Sequence, residues 1–439
     1  MTDSCWRFRM SYEAFHMKEL GFTTRQLHAG YDPSEHYRSK AVPVYQTAVF
    51  ELGDYDRCVR LFEYAEEGHS YVRFSNPTNE VLEKRISSLE GGTAAVSMAS
   101  GMAAISNAIL NLCEKGDEII AVSTLYGGST TLISSLLPRY GITGKIVRDE
   151  NDIDAYRELI TDRTKCIYIE SLGNPGINVL DVEAITKLAH GYGIPVVIDN
   201  TFCTPYLFRP FEHGVDIVCY SATKYLAGHG ILIGGLVVEN GSFNYLNGRF
   251  PQFEEFYREN APLIGEEVLS REMFTKRLRM VFLTDLGAHM SPQNAFYLLQ
   301  GMETLSLRME RHVENAKKIA EYLDAHPKIT QVNYPGLVSS PFYQLAEKYF
   351  PKGPGAMMSV RVSGGFRKAR QVLEKVRVFD YMVNVGDAKS LIVHPASSTH
   401  FSLSSREREK AGVYDDTLRL SVGIEDVQDL IDDLDQALK

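Results

Sequence analysis

The sequence predicts an α/β protein in which a mostly parallel sheet, covered by helices on both faces, is followed by a smaller α+β domain. Short apolar, β-branched runs alternate with helical stretches from residue 79 to residue 240, which is typical of a parallel sheet buried on both faces. The 439 residues are enough for two or three domains. The composition, 44% hydrophobic and 23% charged, is that of a globular protein and argues against disorder.

The first part of the chain supplies the strands of the predicted sheet. Each strand is a short apolar run, and the stretches between the runs are predicted to be helical. In such sheets functional groups collect in the loops that follow the strands. The predicted strands are 94–99, 118–122, 145–147, 166–170, 195–199, 217–220 and 236–239, and the predicted helices are 80–90, 101–116, 129–137, 153–160 and 182–190.

The chain divides into three predicted parts. Residues 1–79 are rich in loops and are predicted to form an N-terminal arm that reaches a neighbouring subunit. Residues 80–294 are predicted to form the large domain, with an irregular or helical insertion at 242–292. Residues 295–439 are predicted to form the small domain, which begins with one long helix running past residue 310. Its predicted strands are 329–333, 357–362, 389–393 and 418–422.

Charge and cysteine content argue against several classes of function. Lys and Arg number 46 against 56 Asp and Glu, and the net charge of −10 argues against nucleic acid or an anionic membrane as the main partner. Six scattered cysteines without a C-x-x-C pair suggest neither a zinc site nor a disulfide framework, and a cytoplasmic setting is the simplest. No apolar stretch approaches the ~18 residues of a membrane span, and residues 1–19 lack the apolar core of a signal peptide.

The segment Ser221-Ala222-Thr223-Lys224 carries the most chemical information. Its lysine directly follows a buried strand, where desolvation lowers the pKa of an amine and favours the neutral form that makes Schiff bases. The hydroxyls of Ser221 and Thr223 are placed to contact a phosphate. Three other interpretations stay open from these residues alone. They are a serine nucleophile motif without its S-D-N and K-T-G companions, a dinucleotide loop with the wrong glycine spacing, and an exposed loop lysine.

A carboxylate, Asp199, ends the apolar strand 195–199. Burying a carboxylate alone is costly, so it needs a partner, and the protonated pyridine nitrogen of pyridoxal phosphate is one. A helix N-cap or a loop position is the more common role of a lone aspartate. The presence of Lys224 about one βα unit further along the chain favours the cofactor.

Two turns and one loop offer contacts for a phosphate or a flat ring. Gly101 opens a predicted helix, whose first N–H groups can hold a phosphate. Tyr126 lies in the next such turn and offers an aromatic face for stacking. Tyr71 and Arg73 share a loop, and a guanidinium grips a phosphate dianion well. Each feature has a plain structural alternative: an ordinary turn, a rim residue or a surface arginine.

Arg419 interrupts the apolar strand 418–422. Buried arginines are rare unless they are paired. The carboxylate of a substrate is a natural bidentate partner for such a guanidinium. An internal Asp or Glu is the commoner partner.

Together these segments resemble the Cys/Met-metabolism family of pyridoxal phosphate enzymes, which includes cystathionine γ-synthase, cystathionine lyases, methionine γ-lyase and O-acetylhomoserine sulfhydrylase. The resemblance extends from residue 23 to the C-terminus and implies a fold-type I transferase. Stretches such as Asn384-Val385-Gly386-Asp387-Ala388-Lys389-Ser390-Leu391 look closest to the O-acetylhomoserine sulfhydrylase branch. The family motifs are Tyr71-x-Arg73-x-x-Asn76-Pro77-Thr78, Ser100-Gly101-Met102, Asp199-Asn200-Thr201-Phe202 and Ser221-Ala222-Thr223-Lys224.

The resemblance implies a role for each site residue. Lys224 holds pyridoxal phosphate as a Schiff base and moves protons, and Tyr126 stacks on the cofactor ring as the second catalytic residue. Arg419 binds the substrate carboxylate, with Asn174 and Ser390 beside it. The implied cofactor-binding residues are Tyr71 and Arg73 from a neighbouring subunit, and Gly101, Met102, Tyr126, Asn174, Asp199, Thr201, Ser221, Thr223 and Lys224 from the same chain.

The implied reaction is γ-replacement on O-acetyl-L-homoserine with sulfide or methanethiol, in a homotetramer built from dimers with shared sites. A γ-lyase is disfavoured because Gly128 stands where methionine γ-lyases usually have cysteine. Cystathionine chemistry is disfavoured because Lys389 stands where those relatives often have glutamate. A non-catalytic binding protein is disfavoured by the retention of Lys224, Asp199, Tyr126 and Arg419. A carbon nucleophile and a succinyl or phosphoryl leaving group stay open.

Overall fold

The structure, a computed structural model, describes residues 20–401, 408 and 412–439. The strands of its larger sheet are β1 (Ala94–Met98), β2 (Glu118–Ala121), β3 (Thr143–Ile146), β4 (Thr164–Glu170), β5 (Val196–Asp199), β6 (Ile217–Ser221) and β7 (Gly235–Glu239). Their order across the sheet is β1-β7-β6-β5-β4-β2-β3. Strands β2 to β6 pair in parallel, and β7 runs antiparallel to β1 and β6. The predicted mostly parallel sheet is therefore confirmed.

The register of the central strands brings the predicted site residues to one edge of this sheet. Glu170 on β4 pairs with Asp199 on β5, and Asp199 pairs with Cys219 on β6. Strands β4 and β5 are buried along their whole length, as expected of a parallel sheet covered on both faces. Because parallel strands end at the same edge, Asp199 lies beside Ser221 and the turn that carries Lys224.

Helices pack against the larger sheet. Asn76 and Ser100 cap the helices Pro77–Glu90 and Gly101–Leu112, because their side chains accept backbone N–H groups of the first turn. Each cap fixes where its helix begins relative to the neighbouring strand. The other helical segments around this sheet are Gly127–Thr131, Leu132–Leu136, Leu137–Tyr140, Ile153–Arg157, Val182–Gly191, Thr204–Leu207 and Pro210–His213.

A second sheet forms the α+β part of the chain. Its strands are β8 (Ile329–Asn333), β9 (Met357–Val362), β10 (Asp380–Tyr381), β11 (Leu391–Val393) and β12 (Thr417–Ser421), in the order β10-β11-β12-β9-β8. The pairs are antiparallel except for β10 with β11. The two-residue strand β10 was not predicted, because so short a strand has no periodic pattern. The helical segments here are Tyr343–Tyr349, Gly365–Lys375, Pro395–Ser397 and Val427–Leu438.

The single long helix predicted from residue 295 is in fact two helices, Pro292–Met302 and Leu305–Asp324. Arg308 gives a physical reason for the break. Its guanidinium donates to the carbonyl of Gly301 at 2.7 Å and so satisfies an acceptor at the end of the first helix. Leu305–Asp324 is 20 residues long but polar, and no helix of the described ranges is long and apolar enough to cross a bilayer.

The predicted insertion at 242–292 is largely helical. Its aromatic rings pack together as part of the hydrophobic core, and Tyr245 stacks on Phe253 with 4.6 Å between the ring centroids. The boundaries of the large domain and of the small domain stay a prediction. The helical segments of the insertion are Pro251–Ile264, Glu266–Arg277, Leu278–Leu283 and Thr284–Leu286.

The N-terminal arm is described from residue 20 onward, and its residues 1–19 lie outside the described part. It contains the helical segments Phe22–His28, Pro33–His36 and Tyr55–Phe62. No residue of Tyr55–Phe62 is buried, and its terminal rings, Tyr55 and Phe62, are 81% and 60% exposed. Apolar surface left open on one chain is suited to contact with another protein surface.

Candidate active site

A cavity of about 400 Å³ opens at the carboxyl ends of β4, β5 and β6. The larger sheet lines one side of it, and residues 383–385 and Arg419 of the second sheet and its loops line the other. Most of the residues that the sequence predicts for a cofactor or a substrate meet here. They are Gly101, Met102, Tyr126, Asn174, Asp199, Thr201, Ser221, Thr223, Lys224 and Arg419.

Lys224 lies in the turn that follows β6. Its backbone N–H donates to the carbonyl of Ser221 at 3.2 Å, and its carbonyl accepts from the N–H of Gly228 at 2.8 Å. These two hydrogen bonds fix the backbone of the turn before and after the lysine. Burial and, secondly, the positive charge of Arg419 lower the pKa of its amine to about 8. The side chain is half-buried in the cavity lining, so the exposed-lysine interpretation is wrong. A fraction of this amine is neutral near pH 7, as a nucleophilic or basic lysine requires.

Asp199 presents a buried carboxylate to the cavity. Its Oδ1 accepts the N–H of Thr201 at 2.9 Å and the hydroxyl of Thr201 at 2.5 Å. No Lys, Arg or His of the described residues forms an ion pair with it. Burial raises its pKa to about 6 in spite of the two hydrogen bonds. A carboxylate in this setting suits a cationic ring nitrogen of a bound ligand.

A corner of the cavity is built to hold an anion. The helix Gly101–Leu112 begins opposite Ser221, and a Cβ at Gly101 would lie 2.6 Å from the Cβ of Ser221. Only glycine therefore lets the start of this helix approach the end of β6 so closely. The first N–H groups of the helix, together with the hydroxyls of Ser221 and Thr223 in the lining, suit a phosphate.

Tyr126 lies where a flat ring could stack. Its side chain is 45% exposed and lines the cavity, while its backbone N–H donates to the carboxylate of Glu170 at 2.8 Å. A glycine leaves room for its ring. A Cβ at Gly128 would lie 2.5 Å from Cε1 of Tyr126 and 3.1 Å from the sulfur of Met102. Any side chain at position 128 would therefore displace the tyrosine ring.

Arg419 on β12 brings a buried guanidinium to the opposite side of the cavity. Its Nη1 donates to Oδ1 of Asn174 at 3.2 Å, and its Nη2 donates to the backbone carbonyl of Asn384 at 3.2 Å. No carboxylate of the described residues pairs with it, so the structure offers no internal Asp or Glu partner for it within those ranges. Two neutral acceptors leave its charge available to a ligand carboxylate.

Three predicted site residues lie outside the cavity lining. Tyr71 and Arg73 are in the arm, where the guanidinium donates to the carbonyl of Thr284 and lies 5.2 Å from the centroid of the Tyr71 ring. Ser390 is fully buried, and its hydroxyl donates to the carboxylate of Glu425 at 2.9 Å. Its hydroxyl thus has a partner within the chain, and the contact between Ser390 and a substrate stays a prediction.

Four polar residues of the cavity were not predicted as site residues: Ser100, Glu170, Thr399 and Asn384. Glu170 carries the same signal as Asp199, a carboxylate that ends an apolar strand, and could have been found by it. Asn384 accepts a hydrogen bond from Nζ of Lys224 at 2.6 Å. It lies in a loop, where no periodic pattern indicates the direction of a side chain.

The cavity offers the features that pyridoxal phosphate requires. Lys224 supplies an amine of lowered pKa, Asp199 supplies a buried carboxylate that has no cationic partner among the described residues, and Gly101 begins the helix at the anion-binding corner. Each feature is ordinary alone, but all three converge on one cavity. The residues present therefore fit this cofactor.

Curated relatives match nearly the whole chain. An O-acetyl-L-homoserine sulfhydrylase of Leptospira meyeri is 44% identical over 429 residues, which cover 95% of this chain and 96% of the relative. A homocysteine synthase of Schizosaccharomyces pombe is 44% identical over 423 residues, covering 95% and 98% of the two chains. An L-methionine gamma-lyase of Pseudomonas putida is 40% identical over 420 residues, covering 95% and 97%.

A solved structure and a family model agree with these relatives. The crystal structure of a putative O-acetylhomoserine (thiol)-lyase from Campylobacter jejuni, which contains N'-pyridoxyl-lysine-5'-monophosphate, superposes with a TM-score of 0.91 at 39% identity. The match covers 95% of this chain and all of that one. The family model described as Cys/Met metabolism PLP-dependent enzyme matches residues 23–439. This chain therefore belongs to the Cys/Met metabolism family of PLP-dependent enzymes.

Proposed function

We propose that this enzyme catalyses γ-replacement on O-acetyl-L-homoserine, in which sulfide or methanethiol displaces acetate and gives L-homocysteine or L-methionine. The observation that carries the proposal is the convergence of Lys224, Asp199 and Arg419 on one cavity. These groups suit an amino acid bound beside a pyridoxal ring. The names of the relatives from Leptospira meyeri and Schizosaccharomyces pombe support this substrate and product.

The residues of the cavity hold the cofactor in this proposal. Pyridoxal phosphate, when bound, supplies an electron sink for chemistry at the α and β carbons of an amino acid. Lys224 would provide the amine that attaches it, Asp199 would pair with its ring nitrogen and Tyr126 would stack on its ring. Thr201 fixes the Asp199 carboxylate through two hydrogen bonds. The groups assigned to the phosphate are Gly101, Met102, Ser221 and Thr223, and Asn174 is assigned to the phenolic oxygen.

Lys224 is the proton carrier of the proposed reaction. With a pKa of about 8, its amine gains and loses a proton near neutral pH at little cost in free energy. The neutral amine takes a proton from the substrate, and the ammonium returns one at a neighbouring carbon. The charge of Arg419 disfavours the ammonium and so favours proton release.

Arg419 orients the substrate by its α-carboxylate. The guanidinium now donates to Asn174 and to the carbonyl of Asn384, both neutral acceptors. A carboxylate that displaced one of them would form a stronger, charge-assisted contact. Binding at this end fixes the α carbon relative to Lys224, which is what a directed proton transfer requires.

A γ-lyase is the second candidate, because the Pseudomonas putida relative is named L-methionine gamma-lyase. Gly128 argues against it. The family resemblance associates a cysteine at this position with methionine γ-lyases, and a side chain here would collide with the ring of Tyr126. The ring position thus depends on this glycine, and the glycine departs from the pattern that the resemblance associates with methionine γ-lyases.

We expect Gly128→Ala to lower the affinity for pyridoxal phosphate about tenfold, because overpacking forces the Tyr126 ring to move. Absorbance titration of the cofactor-free protein measures this affinity. Gly191→Ala is the control, since nothing lies within 4 Å of a Cβ at Gly191. An unchanged affinity in Gly128→Ala would show that the ring does not depend on this glycine.

The acyl group of the substrate is tested with three esters. We expect kcat/KM with sulfide to be highest for O-acetylhomoserine and lower for O-succinylhomoserine and O-phosphohomoserine. The succinyl and phosphoryl groups both add negative charge. The cationic groups that line the cavity, Lys224 and Arg419, already bind the cofactor and the α-carboxylate in this proposal, so neither is left to neutralise that charge. Preferred use of the succinyl or phosphoryl ester would contradict the proposed substrate. A panel of sulfide, methanethiol and carbon nucleophiles then defines the acceptor.

We infer that Tyr71 and Arg73 complete the cavity of a neighbouring subunit, in a homotetramer built from dimers. Both lie outside the cavity of their own chain, on an arm whose helix Tyr55–Phe62 leaves apolar rings exposed. Among the described residues, no arginine lines the anion-binding corner near Gly101 and Ser221. A guanidinium from a second copy would supply the missing cation. The described cysteines are free thiols, which fits a cytoplasmic enzyme.

Subunit complementation tests this shared site. We expect Arg73→Ala and Lys224→Ala to be nearly inactive alone, and their co-expressed mixture to regain about a quarter of normal activity, since half of the random dimers hold one intact site. Two different affinity tags isolate the mixed oligomers. Mixed oligomers without activity would show that each chain builds its site alone.

A further inference from the structure

Asn384 connects the two cationic groups of the cavity. Its side-chain oxygen accepts a hydrogen bond from Nζ of Lys224 at 2.6 Å. Its backbone carbonyl accepts from Nη2 of Arg419 at 3.2 Å. The side chain therefore serves the lysine, whereas the backbone serves the arginine. This division lets a substitution at position 384 change one contact and keep the other.

The loop that carries Asn384 is firmly held. The N–H of Gly386 donates to the hydroxyl of Ser421 at 2.9 Å, which ties the loop to β12. The N–H of Ala388 donates to the carbonyl of Gly228 at 2.9 Å. Gly228 also closes the turn that contains the lysine. The acceptor on Asn384 and the amine it contacts are thus fixed to one another through the backbone, which is what a positioning contact needs.

We propose that Asn384 is a positioning residue for Lys224 that holds and directs its amine whenever the amine is not bonded to the cofactor. The inference rests on the proposed function for the part the amine plays in turnover. An amide oxygen accepts a hydrogen bond more strongly from an ammonium than from a neutral amine. The contact therefore gives the amine a direction and also stabilises its protonated form.

Opposing influences act on the same amine. Burial and the charge of Arg419 lower its pKa, whereas a hydrogen bond to an acceptor such as the Asn384 oxygen favours the ammonium. No other described residue accepts a hydrogen bond from this Nζ. Removing the Asn384 oxygen would leave the ammonium without a protein acceptor. The other titratable groups of the cavity and its wall among the described residues include Tyr126, Glu170 and Asp199, and the buried Tyr225 and His400 near Arg419.

Two substitutions of similar size test, in the cofactor-free protein, whether Asn384 affects the protonation of Lys224. Competitive acetylation over a range of pH, with mass spectrometry of the Lys224 peptide, gives the titration midpoint of this amine. We expect Asn384→Leu to lower the midpoint by about 0.5–1 pH unit and Asn384→Asp to raise it by at least as much. Met382→Ala is the control on the same loop, because Met382 is exposed and lies outside the cavity lining.

The pH dependence of turnover is the second measurement. The pH dependence of kcat should shift in the same direction as the midpoint, to lower pH in Asn384→Leu and to higher pH in Asn384→Asp. KM for the amino acid should change little in Asn384→Leu, since Arg419 contacts the backbone at position 384. Equal midpoints in all variants, or shifted midpoints with an unshifted kcat profile, would overturn the proposal. If γ-replacement itself is wrong, the unaltered enzyme forms no homocysteine, while the acetylation midpoints still report on Asn384.

Discussion

Lys224→Ala should lower kcat for homocysteine formation by at least about 10⁴-fold, because it removes both the attachment point of the cofactor and the proton carrier. The visible absorbance of the cofactor bound to the enzyme should be lost as well. Stopped assays for homocysteine and an absorbance spectrum of the purified protein measure the two effects.

Two controls separate this effect from general damage. Lys187→Ala removes an exposed lysine of the helix Val182–Gly191 and should change neither quantity. A small free amine added to Lys224→Ala should restore part of the activity, because it can enter the space left by the side chain. Turnover retained by Lys224→Ala without added amine would contradict the assignment of this lysine.

Arg419→Ala should raise KM for the amino acid substrate by about 100-fold or more, because truncating one partner of a buried, charge-assisted pair costs several kcal/mol. The prediction follows from a guanidinium whose acceptors among the described residues are all neutral. Arg419→Lys should recover only part of the affinity, since an ammonium cannot bind a carboxylate with two parallel hydrogen bonds. Steady-state kinetics with varied amino acid measures the change.

The matched control for Arg419 lies on the neighbouring strand. Arg361 on β9 forms an ion pair with Asp416, with 2.8 Å between Nε and Oδ1, and is outside the cavity lining. Arg361→Ala should therefore leave KM unchanged, although it removes the same charge from the same sheet. An unchanged KM in Arg419→Ala would instead indicate that this guanidinium has a structural role.

The larger sheet and the core of the site were predictable because both depend on strands. An apolar run such as Val196–Asp199 indicates a buried parallel strand, and parallel strands end at one edge. A polar residue that follows such a run must then lie beside the residues that follow its neighbours. This reasoning applies to Asp199 and Lys224, and it would have applied equally to Glu170.

Loop side chains were not predictable in this way. Ser390 and Asn384 lie in one motif, yet the first binds Glu425 and the second binds Lys224. In a loop the direction of each side chain depends on tertiary hydrogen bonds, such as the one that ties Gly386 to β12. Spacing along the chain does not indicate those bonds.

The break in the predicted long helix has a similar cause. The apolar pattern continues past residue 301, so periodicity alone favours one helix. Where the helix ends, the buried guanidinium of Arg308 donates to the carbonyl of Gly301 and also to that of Tyr225, at 2.7 Å and 2.8 Å, which stabilises the break. A tertiary contact thus overrides the local preference. The same contact helps to fix the backbone next to Lys224.

The product of a single reaction tests the proposed function most directly. O-acetyl-L-homoserine and sulfide are incubated with the enzyme, and acetate, homocysteine, 2-oxobutyrate and ammonia are measured together. γ-Replacement predicts acetate and homocysteine in equal amounts, with 2-oxobutyrate a minor product. Release of 2-oxobutyrate and ammonia in amounts equal to acetate, with sulfide present, would contradict γ-replacement and identify the enzyme as a γ-lyase.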